Sequence, residues 1–281
     1  MTRPEILRYA AFTDDPAGGN PAGVVLDAST LDDAAMQAIA TEVDYAETAF
    51  VTAVDADGAR VIRYFSPIAE VPFCGHATVA TAVALAGVEG PGAIRFRTPV
   101  GDVRIETTVD ASGASAAFTS VEPVVAALPD EDLDRILALL GLGRDDLDAT
   151  HPPRLAAAGS PHPVLALRDA AAFDDFAFDP AAVRALMDER AWPATITVLR
   201  RTGAATYDAR NLFPVGRITE DPATGSAAAA VGGYLRALGL VDPPARVVIS
   251  QGRHVGRPGE LVVDIPVAGG VVVTGRAVPI A

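Results

Sequence analysis

At 281 residues, half of them hydrophobic, the chain is long enough for two domains of ordinary size with substantial cores. The formal charge of −14 argues against nucleic acid and against anionic membrane surfaces as partners. Every basic residue is Arg, so a lysine Schiff base and a Walker-type phosphate loop are excluded, and the single cysteine, Cys74, excludes a disulfide framework and a cysteine cluster for zinc.

Arg8 to Phe12 reads as a first strand, followed by the turn-rich TDDPAGGNP and a short apolar strand from Ala22 to Leu26. Ser29 or Thr30 can cap a helix in which Met36, Ile39, Ala40 and Val43 recur on one face. Glu47 lies just beyond that helix. Ala49 to Val54 and Arg60 to Phe65 form a hairpin around Asp57-Gly58. An apolar helix from His76 to about Ala86 comes next, then a hairpin around Val100-Gly101 and a strand from Ala114 to Ser120. The segment from Val121 to Leu128 is expected to join a strand to a helix that Asp130 caps. That helix presents Leu133, Ile136, Leu137 and Leu140 inward.

The second part offers the same order again. Apolar stretches bracket Gly159-Ser160-Pro161-His162, and a helix runs from Pro180 to Glu189. Strands follow at Thr195 to Arg200 and Thr206 to Leu212, then a helix from Ser226 to Leu238, then strands from Val247, Glu260 and Val271. The expected halves are 1–121 and 122–270, with 271–281 able to cross back and complete the first half. No apolar run is long enough to span a bilayer. The first residues lack the layout of a signal peptide, so the expected compartment is the cytoplasm. No G-x-G-x-x-G follows a strand, which leaves a dinucleotide site without support.

The strongest internal signal is a repeat. EVPFCGHATVATAVAL (Glu70 to Leu85) aligns without a gap on EDPATGSAAAAVGGYL (Glu220 to Leu235), at an offset of 150 residues. Each copy is a Gly turn running into a small-residue helix, and RYFSP and RNLFP precede them. A helix start leaves N–H groups without intrahelical partners and carries the positive end of the helix dipole, so it suits an anion. Two such starts imply a duplicated fold with a carboxylate-binding cleft between the halves. His76 matches Ser226, and Cys74 matches Thr224.

These residues carry a family resemblance. FTDDPAGGNPAGVVL, AETAFV, FSPIAEVPFCGHATVATA, TEDPATGSAAAA and QGRHVGRPG span nearly the whole chain. Together they resemble the phenazine-biosynthesis isomerase (PhzF-like) family, a branch of the diaminopimelate-epimerase-like fold. The resemblance implies an α+β protein of two pseudo-symmetric halves, each a curled, antiparallel-rich sheet around a central helix. It also implies no cofactor, no metal, a small carboxylate substrate and a homodimer. The family's proton-shuttling glutamate falls on Glu47, and its substrate-contacting histidine and aspartate fall on His76 and Asp221. Its carboxylate-holding turn falls on Gly225 and Ser226 beside Thr224, with Asn20 and Gly75 as companions in the first half.

Two positions depart from the family pattern. Ala46 stands where many members have Ser before the glutamate, and GRPS reads GRPG at Gly256 to Gly259. Epimerases of this fold use two opposed cysteines, whereas Cys74 has Thr224 opposite. A threonine hydroxyl is far too weak an acid to replace a thiolate. The expected chemistry is cofactor-free proton transfer by Glu47. Two alternatives stand beside it: a dehydratase or racemase-like enzyme with Cys74 as base, and a catalytically silent protein that binds a small carboxylate.

Overall fold

A computed structural model of the chain describes residues 4–214 and 218–281. The chain forms two compact units, Met1–Thr119 with Thr274–Ala281, and Ser120–Val273.

The first unit is a closed barrel. In chain order it contains β1 (Leu7–Ala11), β2 (Asn20–Val25), α1 (Asp33–Val43), β3 (Glu47–Val54), β4 (Arg60–Phe65), β5 (Glu70–Val71), α2 (Gly75–Glu89), β6 (Ala93–Thr98), β7 (Gly101–Asp110) and β8 (Gly113–Thr119). Pairing runs β1–β2 antiparallel, β2–β3 parallel, β3–β4 antiparallel, β4–β6 parallel, then β6–β7 and β7–β8 antiparallel. The gap between β8 and β1 is filled from the far end of the chain.

α2 runs through this barrel, packed on β1, β2, β3, β7 and β8. Its residues from His76 to Ala86 are all buried, which is why the sequence there is apolar on every face. α1 covers the outside of the barrel, with Met36, Ile39, Ala40 and Val43 against Val25, Phe50 and Phe65. Its cap is Asp32 rather than Ser29 or Thr30, because the Asp32 carboxylate accepts the Ala35 N–H at 2.8 Å.

The second unit repeats the scheme. It contains β9 (Val124–Ala127), α3 (Asp130–Leu139), β10 (Arg154–Ala157), β11 (Pro161–Ala166), α4 (Ala170–Asp175), α5 (Pro180–Glu189), β12 (Ile196–Arg201), β13 (Thr206–Leu212), β14 (Glu220–Asp221), α6 (Gly225–Ala237), β15 (Ala245–Gln251) and β16 (Gly259–Ile265). From β10 to β16 the pairings are antiparallel, parallel, antiparallel, parallel and antiparallel, the same alternation as from β1 to β7. α6 packs on β9, β10, β11 and β16, so this sheet also curls about its helix. A Cβ on Gly233 would stand 2.2 Å from the Pro123 ring, and one on Gly232 2.8 Å from Val271. Two glycines are therefore needed for the helix to seat. α3, α4 and α5 form an outer layer over Leu165, Val198 and Leu212.

Two expectations change in this unit. The Val121 to Leu128 segment contains a strand, β9, which pairs antiparallel with β10. Asp130 is the first helical residue of α3, not its cap, since Pro129 occupies that place. The last strand, β17 (Val272–Pro279), returns to the first unit. It pairs with β8 and, antiparallel, with β1, and so closes the barrel. Among the described residues, no helix is long and apolar enough to cross a membrane.

Candidate active site

Glu47 is the first residue of β3. It is aligned in parallel with Ala22 of β2, two residues after Asn20. Asn20 opens β2 and is fully buried. The strand delivers the Glu47 carboxylate to the start of α2. There Cys74 is the N-cap residue, in extended conformation, and Gly75 and His76 begin the helix. The side chain of His76 does not cap the helix, which has no side-chain cap bond.

The turn is rigidly braced. The Cys74 carbonyl accepts from the Thr78 N–H at 3.0 Å and from the Thr78 hydroxyl at 2.6 Å. The Thr78 hydroxyl is also 2.6 Å from the buried Tyr64 hydroxyl. Arg63 grips Glu70 through two bonds of 2.7 Å, tying β4 to β5 just before the turn.

Three predicted residues meet here. The Cys74 thiol donates to Glu47 Oε2 at 3.4 Å, and His76 Nε2 lies 3.4 Å from the same oxygen. Cys74 Sγ is 3.3 Å from His76 Nδ1. Burial pushes the His76 pKa down to about 3. The imidazole is therefore neutral near pH 7, and its contact with Glu47 is a hydrogen-bond contact rather than an ion pair.

The second unit gathers the other predicted residues. Asp221 ends β14, Thr224 is the N-cap of α6, and Gly225 and Ser226 begin that helix. The Thr224 hydroxyl donates to Asp221 Oδ2 at 2.6 Å. Arg210 and Glu220 repeat the Arg63–Glu70 brace in buried form, with Arg210 Nη2 2.5 Å from Glu220 Oε1.

Gln251, at the end of β15, is the residue that the sequence reading missed. Its Nε2 donates to the Asp221 carbonyl at 2.7 Å and to the Thr224 hydroxyl at 2.9 Å, while its Oε1 accepts the Thr224 N–H at 3.3 Å. One buried amide thus holds both the acid-bearing strand and the helix cap. QGRHVGRPG was visible as a motif, but nothing in it told that its first residue reaches back to Asp221.

The family model described as phenazine biosynthesis-like protein matches residues 9–281. The chain belongs to the phenazine biosynthesis-like family. Among its PhzF-like relatives is an uncharacterized isomerase, YddE, of Salmonella typhimurium. It is 32% identical over 286 residues, covering 98% of this chain and 96% of the relative. The trans-2,3-dihydro-3-hydroxyanthranilate isomerase of Pseudomonas chlororaphis is 30% identical over 88% of this chain and 85% of its own length. The structure of a PhzF-family protein from Bacillus anthracis superposes with a TM-score of 0.87 at 24% identity, over 100% of this chain and 98% of that one. A probable proline racemase from Agrobacterium radiobacter, at 13% identity and a TM-score of 0.65 over 97% and 90% of the two chains, shares the fold alone. The epimerase-like architecture of the PhzF-like family is thus the architecture of this protein.

Proposed function

We propose that this PhzF-family isomerase moves a proton on a small carboxylated substrate, with Glu47 as both acid and base. One observation carries the reading: the carboxylate of Glu47 stands at the start of α2, within 3.4 Å of Cys74 Sγ and of His76 Nε2. A carboxylate so placed can take a proton from an acidic carbon and return it to another carbon of the same conjugated system. Neutral His76 can donate or accept a hydrogen bond without competing for that proton near pH 7. Asp221, steadied by Thr224 and Gln251, is assigned to a polar group of the substrate. The N–H groups at Gly75 and at Gly225 and Ser226 are assigned to its carboxylate and to charge that develops during reaction.

The name of the Pseudomonas chlororaphis relative supports the substrate class, because an anthranilate carries a ring carboxylate. Ala46 brings no hydroxyl beside the glutamate, so the reading stops at the class. The test is proton exchange in heavy water with a panel of cyclic and acyclic amino and hydroxy acids, followed by NMR. Deuterium incorporation that Glu47→Gln abolishes is the expected outcome. Exchange that persists in Glu47→Gln refutes the assignment.

The Cys74 thiol, bonded to the same carboxylate oxygen, supports a second reading with Cys74 as base, in a dehydratase or racemase-like reaction. Loss of exchange in a folded Cys74→Ser protein would favour it.

A further inference from the structure

The Glu47–Cys74–His76 cluster has a second chemical capacity. It offers a carboxylate oxygen, a sulfur and an imidazole nitrogen, all within 4.8 Å of one another. The separations are 3.4 Å for Sγ to Oε2, 3.4 Å for Oε2 to Nε2, and 3.7 Å for Sγ to Nε2. Tetrahedral zinc holds sulfur at about 2.3 Å and nitrogen or oxygen at about 2.0–2.2 Å, which puts neighbouring ligand atoms about 3.3–3.7 Å apart. The three atoms already stand at three vertices of such a tetrahedron, with the fourth left over.

The anchors favour this arrangement. Glu47 begins a barrel strand, and Cys74 and His76 flank one glycine at a braced helix start. Little conformational freedom remains to be lost on binding. The thiolate and the imidazole are soft and borderline donors, and beside a single carboxylate they select zinc or cobalt over magnesium or calcium. The matching positions of the second unit, Thr197, Thr224 and Ser226, carry only hydroxyls.

We propose that Glu47, Cys74 and His76 form a three-ligand site for a thiophilic divalent cation, zinc foremost, and that its occupation switches off proton transfer by Glu47. The cation is an inhibitor here, not a cofactor. Binding breaks the Cys74 S–H bond, forms a metal–sulfur bond and releases one proton to solvent. The inhibitory half rests on the reading of Glu47 as proton carrier. The binding half does not.

The full chain, freed of metal with a chelator, is titrated with Co²⁺. One equivalent should bind, release one proton and raise a near-ultraviolet thiolate-to-cobalt charge-transfer band that Zn²⁺ bleaches and Mg²⁺ does not. Cys74→Ser should lose the band. Glu47→Gln should keep the band but bind about tenfold or more weakly, because one ligand of three is weakened. Circular dichroism on both variants checks that they fold. No band, or a band indifferent to Cys74→Ser, overturns the site. For any acid in the panel that exchanges, one equivalent of Zn²⁺ should stop exchange and chelator should restore it. A Cys74-dependent band with undiminished exchange would keep the site and overturn the Glu47 reading.

Discussion

Glu47 and Thr197 occupy the same place in the two units. Each aligns in parallel with the residue after a proline, Ala22 after Asn20-Pro21 and Val164 after His162-Pro163. They lie 150 residues apart, the offset that also relates Cys74 to Thr224 and His76 to Ser226. The duplicated frame therefore holds titratable groups in the first unit and hydroxyls in the second. The Thr197 hydroxyl donates to Asn211 Oδ1 at 2.7 Å and belongs to a neutral buried network. Two-base stereoinversion, with matched acids from the two copies of the repeat, has no chemical partner in the second copy.

Glu47→Gln is expected to leave fold and binding nearly intact and to remove proton transfer. Gln keeps the shape but cannot accept and return a proton near pH 7. The loss should reach the upper end of the roughly 10²–10⁴-fold typical of general acid–base groups. Asp221→Asn should instead weaken both binding and rate. A binding isotherm and heavy-water exchange on each variant separate the two roles.

Cys74→Ser is expected to keep at least about a tenth of the exchange rate, since general acid–base groups usually contribute 10²-fold or more. The thiol donates to Glu47 Oε2, and a serine hydroxyl can replace that donor. A fall of two orders of magnitude in a folded variant would move the proton step to the sulfur.

Gln251→Ala should lower turnover and raise KM together, by about 10²-fold in kcat/KM, the scale of misplacing a catalytic group by about an ångström. It removes the bonds that hold the Asp221 carbonyl and the Thr224 cap. Gln251→Glu keeps only the acceptor and sets a second carboxylate beside Asp221, so it should not rescue. Full activity in Gln251→Ala would show that Thr224 alone positions Asp221.

His162 supplies a pH-dependent stability. It is fully buried on β11, with Nδ1 bonded to Thr195 at 2.9 Å and Nε2 without a hydrogen-bond partner. Burial pushes its pKa down to about 4 from 6.5. Between those values the unfolded chain binds a proton that the folded chain does not. The stabilisation is complete above about pH 6.5 and is lost as pH falls toward about 4. His76 acts with the same sign, down to about 3. In urea titrations the unfolding free energy should fall by up to about 1.4 kcal/mol per pH unit for each such histidine. His162→Gln should flatten that slope by one histidine's share. A slope unchanged from the parent would assign the effect elsewhere.

Much of this was legible before any coordinates. The gapless repeat located both helix starts, and α2 and α6 each begin one residue earlier than their apolar pattern indicated. The all-round burial of α2 follows from its lack of a polar face. What could not be read depends on register between distant strands. Gln251 meets Asp221 only because β15 runs parallel to β13, which in turn pairs with β14. Likewise, Glu47 and Thr197 are recognised as counterparts through their strand partners and not through sequence likeness, since AETAFV and ITVLRR, 150 residues on, have little in common.

The return of β17 orders events during synthesis. Gly275 on this strand has no room for a side chain, because a Cβ there would lie 2.1 Å from Phe12 Cδ1. Phe12 itself turns with φ 63° at the end of β1, and its N–H bonds the Arg276 carbonyl. The first barrel therefore waits for Thr274–Ala281 to be made, while Ser120–Val273 has all of its own strands earlier. The nascent chain is expected to complete its second unit first. The Glu47–Cys74–His76 cluster, held by a helix inside an unclosed sheet until β17 docks, acquires its final geometry only when that strand closes the barrel.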